Sequence, residues 1–187
     1  MRIIVGLGNY ESKYLMTYHN VGFMAADLLA ERLNKKFDKR ICRAVCSEFQ
    51  FKGEKIIIAK PLTFMNLSGE CVKELLKNYK AEPSSLTVVY DDIDLSKGSV
   101  RIRKSGGPGT HNGMRNIVEN LGGETGFSRI RVGIGPKTEN TELYQYVLSE
   151  ISETDESMKS GIKTAADALS DIISGVPMDI VMNRRNR

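Results

Sequence analysis

His19 and His111 are the only histidines in this chain, and each stands before an asparagine in a polar stretch. An imidazole titrates near neutral pH, so a histidine paired with a carboxylate can take a proton from water in a hydrolytic step. Asp91, at the end of an apolar run, is the carboxylate expected to pair with it. A buried aspartate that accepts the second ring N–H fixes the tautomer and stabilises the imidazolium. Asn66 and Asn112 offer neutral amide donors for a carbonyl oxygen on which charge develops. Each of these residues also has an ordinary structural reading. A lone histidine is more often structural or exposed than catalytic, and Asp91-Asp92 is otherwise a solvated strand end. Both asparagines stand before expected helices, where Asn is a good N-cap.

Arg101, Arg103, Lys104, Arg115, Arg129 and Arg131 are spread over two alternating segments and a loop rim. If those pieces adjoin, they form a basic patch that binds phosphates with little sequence preference. If they do not, they are a scattered solvated surface. Other chemistries find less support. Gly6-Leu7-Gly8 lacks the third glycine of a dinucleotide fingerprint, and the stretch 106–113 lacks the Gly-Lys-Ser/Thr ending of a P-loop. Two isolated histidines and the separated Cys42, Cys46 and Cys71 match no metal-ligand spacing, so neither metal nor cofactor is expected. No serine stands in a G-x-S-x-G context.

The elements that must position these residues alternate in type. Apolar runs at 3–5, 56–58 and 86–90 read as buried strands, the last stopping at Asp91-Asp92, and 44–51 as a further strand. Helical spacing covers 21–33, 66–79, 112–121, 142–148 and 155–174. The turn chemistry at 95–98, followed by alternation over 99–103, reads as a hairpin, and 128–134 alternates again. The tail 183–187 is basic and expected to fray. Such alternation predicts an α/β fold: one domain over 1–187, three layers, with a mixed, mostly parallel twisted sheet flanked by helices and an antiparallel part at the arginine-bearing segments. In an open α/β sheet, ligands bind outside the carboxyl ends of the parallel strands. If the first strands are parallel, Asn9, Asn66 and Asp91 gather at one edge, with the glycine-rich loop over it.

A chain of 187 residues with 41% hydrophobic and 27% charged residues has enough apolar material for one core, which argues against global disorder. The net charge of +4 permits an anionic partner without requiring one. An odd cysteine count without C-x-x-C points to reduced thiols, and the apolar N-terminal run is too short for a signal peptide. No segment approaches the ~18 apolar residues of a membrane span. A cytoplasmic protein without membrane attachment is expected.

The motifs in order resemble the bacterial-type peptidyl-tRNA hydrolase family. They are Ile4-Val5-Gly6-Leu7-Gly8-Asn9 with Tyr14 and Thr17-Tyr18-His19-Asn20-Val21-Gly22-Phe23; Lys60-Pro61-Leu62-Thr63-Phe64-Met65-Asn66-Leu67-Ser68-Gly69; Asp91-Asp92-Ile93-Asp94-Leu95 running to Gly98; and Gly106-Gly107-Pro108-Gly109-Thr110-His111-Asn112-Gly113, with Arg129-Ile130-Arg131-Val132-Gly133-Ile134-Gly135 beyond. They span nearly the whole chain. The resemblance implies a monomer that hydrolyses the ester joining a peptide to the terminal tRNA ribose. It implies His19 as base, Asp91 as its partner, and Asn9 as the residue that distinguishes a blocked amino end. Tyr14 and Phe64 would line the cleft for the tRNA 3′ CCA end, with Met65, Asn66, His111 and Asn112 also contacting substrate. The acceptor stem would meet the cations Arg101, Arg103, Lys104 and Arg131. Tyr10-Glu11, Tyr18 and Tyr90 depart from the family's usual Pro-Gly, Arg and His, and none of these removes a proposed catalytic group. Two other readings are a non-catalytic RNA-binding relative and a hydrolase of small molecules.

Overall fold

The apolar runs at 3–5, 56–58 and 86–90 lie side by side at the centre of one seven-stranded sheet. The computed structural model of the chain describes residues 1–137 and 140–186. Its strands are β1 (Arg2–Gly6), β2 (Lys39–Ile41), β3 (Ala44–Phe51), β4 (Glu54–Pro61), β5 (Leu86–Ser96), β6 (Val100–Arg103) and β7 (Ser128–Gly135), in the order β2-β3-β4-β1-β5-β7-β6. Neighbours β4, β1, β5 and β7 are parallel. β2 and β3 on one side, and β6 on the other, pair antiparallel. The helices are α1 (Val21–Arg32), α2 (Ser68–Tyr79), α3 (Asn112–Asn120), α4 (Leu143–Val147), α5 (Glu156–Ile173) and α6 (Met178–Arg185).

Alternation along the strands feeds two cores. Ile4, Ile58, Val89 and Ile130 pack with α1, α5 and α6, whereas Ile3, Val5, Ile57 and Val88 pack with α2 and α3. Helices thus cover both faces, and the expected three-layer α/β architecture with a mixed sheet is what forms. Each fully buried Ile or Val contributes about 1.5–3 kcal/mol. A one-residue slip would exchange the two cores, so register is strongly fixed. Gly22 lets the start of α1 touch the sheet: a Cβ there would stand 2.4 Å from the Val89 carbonyl oxygen and 2.5 Å from that of Leu7. That contact brings the residues just before α1, His19 among them, to the sheet edge.

Several elements differ from the sequence reading. β5 does not stop at Asp91-Asp92 but continues to Ser96. It forms no hairpin with β6, because β7 lies between them. The turn after β5 folds onto the end of β7, with Lys97 N–H donating to Gly135 O (2.7 Å) and Gly98 N–H to Gly133 O (2.9 Å). Gly133 and Gly135 permit this approach, since a Cβ at Gly135 would lie 1.9 Å from Ile93 O. The basic tail is not frayed through its described part: α6 carries it in helical form to Arg185, and Asn186 Oδ1 accepts from Ile102 N–H on edge strand β6 (2.6 Å). Among the described residues no helix is long and apolar enough to cross a membrane.

Candidate active site

The carboxyl ends of β1, β4 and β5 open onto a cavity of about 930 Å³, lined by Asn9, His19, Phe64, Met65, Asn66, Asp91, His111 and Asn112 among others. The expected convergence of Asn9, Asn66 and Asp91 at one edge is therefore present, with residues 105–112 forming part of the enclosure.

At its floor, Asp91 stands between two imidazoles. His19 Nδ1 lies 2.9 Å from Asp91 Oδ1 and 3.0 Å from Oδ2, and His111 Nε2 lies 3.0 Å from Oδ1. The second ring nitrogen of His111 settles its tautomer. Nδ1 accepts the Met114 N–H as the N-cap of α3 (3.1 Å), so the proton sits on Nε2 and is donated to Asp91. Tyr90 packs against the same ring, centroids 4.9 Å apart. An ionised Asp91 accepts the proton on His19 Nδ1 as well, which leaves His19 Nε2 as a free acceptor with no protein partner among the described residues. Burial alone would raise the Asp91 pKa, but the His19 and His111 rings hold the carboxyl well below the usual range. Burial lowers the pKa of His19, and the charge and hydrogen bond of Asp91 more than reverse that, leaving it above the ordinary histidine value. The three ligand-capable atoms of His19, Asp91 and His111 lie within 4.8 Å of one another, a cluster that sequence spacing did not disclose. In this arrangement the carboxylate is satisfied by ring N–H donors.

Asn9 is held rather than free. Its Oδ1 accepts the Met65 N–H (3.0 Å), tying the end of β1 to the turn that carries Phe64, Met65 and Asn66. Asn20, fully buried, grips Asn9 in turn: its Oδ1 accepts the Asn9 N–H (2.8 Å) and its Nδ2 donates to the Asn9 carbonyl (3.0 Å). The asparagine after His19, given no weight in the sequence, therefore braces the site. Gly113 makes room for Met65, whose sulfur would stand 2.7 Å from a Cβ there.

Asn66 and Asn112 are not helix caps. Leu67 is the N-cap residue of α2 and His111 that of α3, so neither asparagine side chain serves the backbone in that way. Both are exposed and line the cavity, and Asn112 Oδ1 accepts only a 3.3 Å bond from Arg115. Phe64 is 49% exposed at the cavity and leans on Tyr10, centroids 5.5 Å apart. Tyr14 does not line the cavity; it sits in the short turn Ser12–Tyr14, where Lys13 covers its ring. The opposite wall is Glu142 with Leu143, Tyr144, Val147 and Leu148, a short segment whose helical spacing was visible but whose role was not.

The basic residues divide. Antiparallel pairing sets Arg101 opposite Arg131 and Arg103 opposite Arg129, so these cations share one face of the sheet. Arg103 and Arg131 line the cavity, and Arg131 is paired with Asp92. Arg101 and Lys104 do not line it, and Lys104 is bonded to Asp179 (2.8 Å). Arg129 is not a free cation of the patch. It is buried, donates to the carbonyls of Gly107 (2.9 Å) and Thr125 (2.9 Å), and stacks on Phe127. It fixes the glycine-rich loop, which has few side chains of its own to pack.

Comparison with known proteins identifies the family of the chain. A family model described as Peptidyl-tRNA hydrolase matches residues 3–187. A peptidyl-tRNA hydrolase of Alkaliphilus metalliredigens (strain QYMF) is 46% identical over 188 residues, covering 100% of both chains, and that of Lacticaseibacillus casei (strain BL23) is 41% identical, also covering 100% of both. The crystal structure of peptidyl-tRNA hydrolase from Acinetobacter baumannii superposes with a TM-score of 0.90 at 29% identity, covering 100% of this chain and 94% of that one.

Proposed function

The chain belongs to the peptidyl-tRNA hydrolase family, and from that membership we propose how its residues carry out the reaction. It hydrolyses the ester between a peptide and the 3′-terminal ribose of tRNA, releasing both. Asp91 orients His19, whose Nε2 removes a proton from water as that water attacks the ester carbonyl. The amide groups of Asn66 and Asn112 hydrogen-bond the carbonyl oxygen as charge develops. The ribose hydroxyl leaves with the proton returned by His19 or solvent. One observation carries this reading: His19 Nδ1 is engaged by both oxygens of Asp91, at 2.9 and 3.0 Å, so the other ring nitrogen is the basic one.

Asn9, positioned beside Met65, reads the blocked amino end. The CCA end enters beside Phe64, Met65 and His111, with Tyr14 contacting it outside the cavity. The acceptor stem lies against Arg103 and Arg131, with Arg101 and Lys104 further out. The chain acts as a monomer in the cytoplasm and forms one domain over its full length. The retained base, carboxylate and asparagines argue against a non-catalytic RNA-binding relative.

The test is release of N-acetylated amino acid from charged tRNA, with unblocked aminoacyl-tRNA and His19→Ala in parallel. Selective hydrolysis of the blocked substrate, reduced by about 10²–10⁴-fold in the variant with tRNA binding intact, is expected. Full activity of His19→Ala would refute the base assignment.

A further inference from the structure

Next to His19 along the chain, Tyr18 belongs to a cluster that the hydrolytic step does not use. Tyr18, buried, stacks on Tyr146 of α4 with centroids 5.2 Å apart and planes 9° from parallel. Its hydroxyl receives a 2.7 Å bond from Lys97 Nζ, and the same ammonium lies 4.9 Å from the Tyr18 ring centroid and 3.3 Å from Asp155 Oδ2. The Tyr146 hydroxyl donates to the Ile134 carbonyl at the end of β7. Backbone bonds run alongside: Tyr18 N–H to Ser149 O (3.2 Å), and Ile151 N–H to Met16 O (2.7 Å).

These contacts join two functional pieces. Tyr18 is the residue directly before the base, in the turn Tyr18–Asn20. Tyr146 is the buried residue of α4, whose other side chains Leu143, Tyr144 and Val147 line the cavity wall. We propose that Tyr18, Tyr146 and Lys97 are positioning residues that lock His19 to the α4 wall, so that the wall and the imidazole hold one fixed distance across the cavity.

The chemistry favours this role over simple filling of the core. An apolar stack would need no ammonium, whereas here a lysine is brought in from a turn whose backbone is itself bonded to Gly135. An ammonium bonded to the tyrosine hydroxyl and paired with Asp155 anchors the outer end of that ring, and the stack on Tyr146 limits its tilt. The restraint reaches His19 through a single peptide unit. Displacing a reacting group by 1 Å, even through residues remote from the chemistry, can cost about 10²-fold in rate.

The proposal rests on His19 being the base. The test uses the full chain and compares Tyr18→Phe, Lys97→Met and Lys97→Arg with His19→Ala, reading kcat, KM, Tm and the acid limb of the pH–rate profile. The charged and titratable groups lining the cavity with His19 are Tyr90, Asp91 and Asp92 of β5, Arg103 of β6, His111 before α3, Arg129 and Arg131 of β7, Glu142 before α4 and Tyr144 of α4. Lys97 and Asp155 stand behind Tyr18. Tyr18→Phe and Lys97→Met are expected to lower kcat by about tenfold with KM within about twofold, and to move the acid limb to lower pH as His19 loosens from Asp91. Lys97→Arg should restore most of kcat. An upward shift in Lys97→Met with none in Tyr18→Phe would mean that Lys97 acts by its field alone, and would overturn the proposal. So would unchanged kcat and limb in both variants, or a loss that only follows Tm. If His19→Ala keeps full activity, the base assignment has failed, and the proposal falls with it for that separate reason.

Discussion

His19 and His111 hydrogen-bond the same carboxylate oxygen: Nδ1 of one and Nε2 of the other lie 2.9 and 3.0 Å from Asp91 Oδ1. The two rings together favour the ionised form of this carboxylate, and both are oriented from one point. Asp91→Asn replaces it with a group that accepts through one atom and presents N–H at the other. The variant should lose up to about 10⁴-fold in kcat, the order that neutralising a triad carboxylate costs. Steady-state hydrolysis of N-acetyl-aminoacyl-tRNA measures this, and a loss below about tenfold would remove Asp91 from the mechanism.

The pH dependence follows from the directions of the two shifts. His19 must be neutral to accept a proton, and its pKa lies above the ordinary value of about 6.5. The ratio kcat/KM should therefore rise with pH through an apparent pKa above ~6.5. Stability runs the other way for this group. A raised folded-state pKa stabilises the protonated form, a contribution complete below the unfolded pKa and lost as pH rises through the folded one. Asp91, depressed, contributes stability above the ordinary carboxylate value that is lost only as pH falls through its much lower folded value. Thermal melts of wild type and His19→Ala across pH 5–9, on the order of half-unit steps around ~6.5, check the sign.

Asn20→Ala leaves the N–H and C=O of Asn9 buried without their present partners. A loss of about 2 kcal/mol, or roughly 4–8 °C in Tm, is expected. Because Asn9 also holds the Met65 turn, kcat/KM should fall as well. A variant with wild-type Tm and activity would show that the brace does not matter.

Phosphate contacts can be separated by salt. Arg103 lines the cavity, and the described residues give it no carboxylate partner, whereas Lys104 is already paired with Asp179. Arg103→Ala should reduce the slope of log K against log[salt] for tRNA binding by about 1, and Lys104→Ala by less. Equal slopes in the two variants would contradict this division.

The sheet's centre and the converging edge were legible because apolar runs ending in polar residues have one simple interpretation in an α/β chain. His19, Asp91, Asn66 and Asn112 could be chosen by chemistry; the cap reading of the two asparagines fails only once Leu67 and His111 are seen to occupy the cap positions, and the solvated-strand-end reading of Asp91 only once it is seen buried against both histidines. The hairpin expected at 95–103 was misread because nearness in sequence outweighed a signal at Gly133 and Gly135, glycines that let the preceding turn fold onto β7. β2 is three residues long, too short for periodicity to register. The buried role of Arg129 and the grip of Asn20 on Asn9 depend on which backbone groups lack partners, which appears only when the chain is folded.

The bond from Ile102 N–H to Asn186 has a bearing on handling and on evolution alike. The sheet has two outer strands, protected by different means: β2 is short and carries Lys39 and Arg40, while β6 is covered by the last helix and its trailing asparagine. Charge and brevity protect β2 locally, but β6 depends on a segment more than eighty positions away. Trimming residues 178–186 would leave the cavity residues in place and yet uncover a strand able to pair with a neighbouring molecule. Shortened versions of this chain should clump before they lose their chemistry.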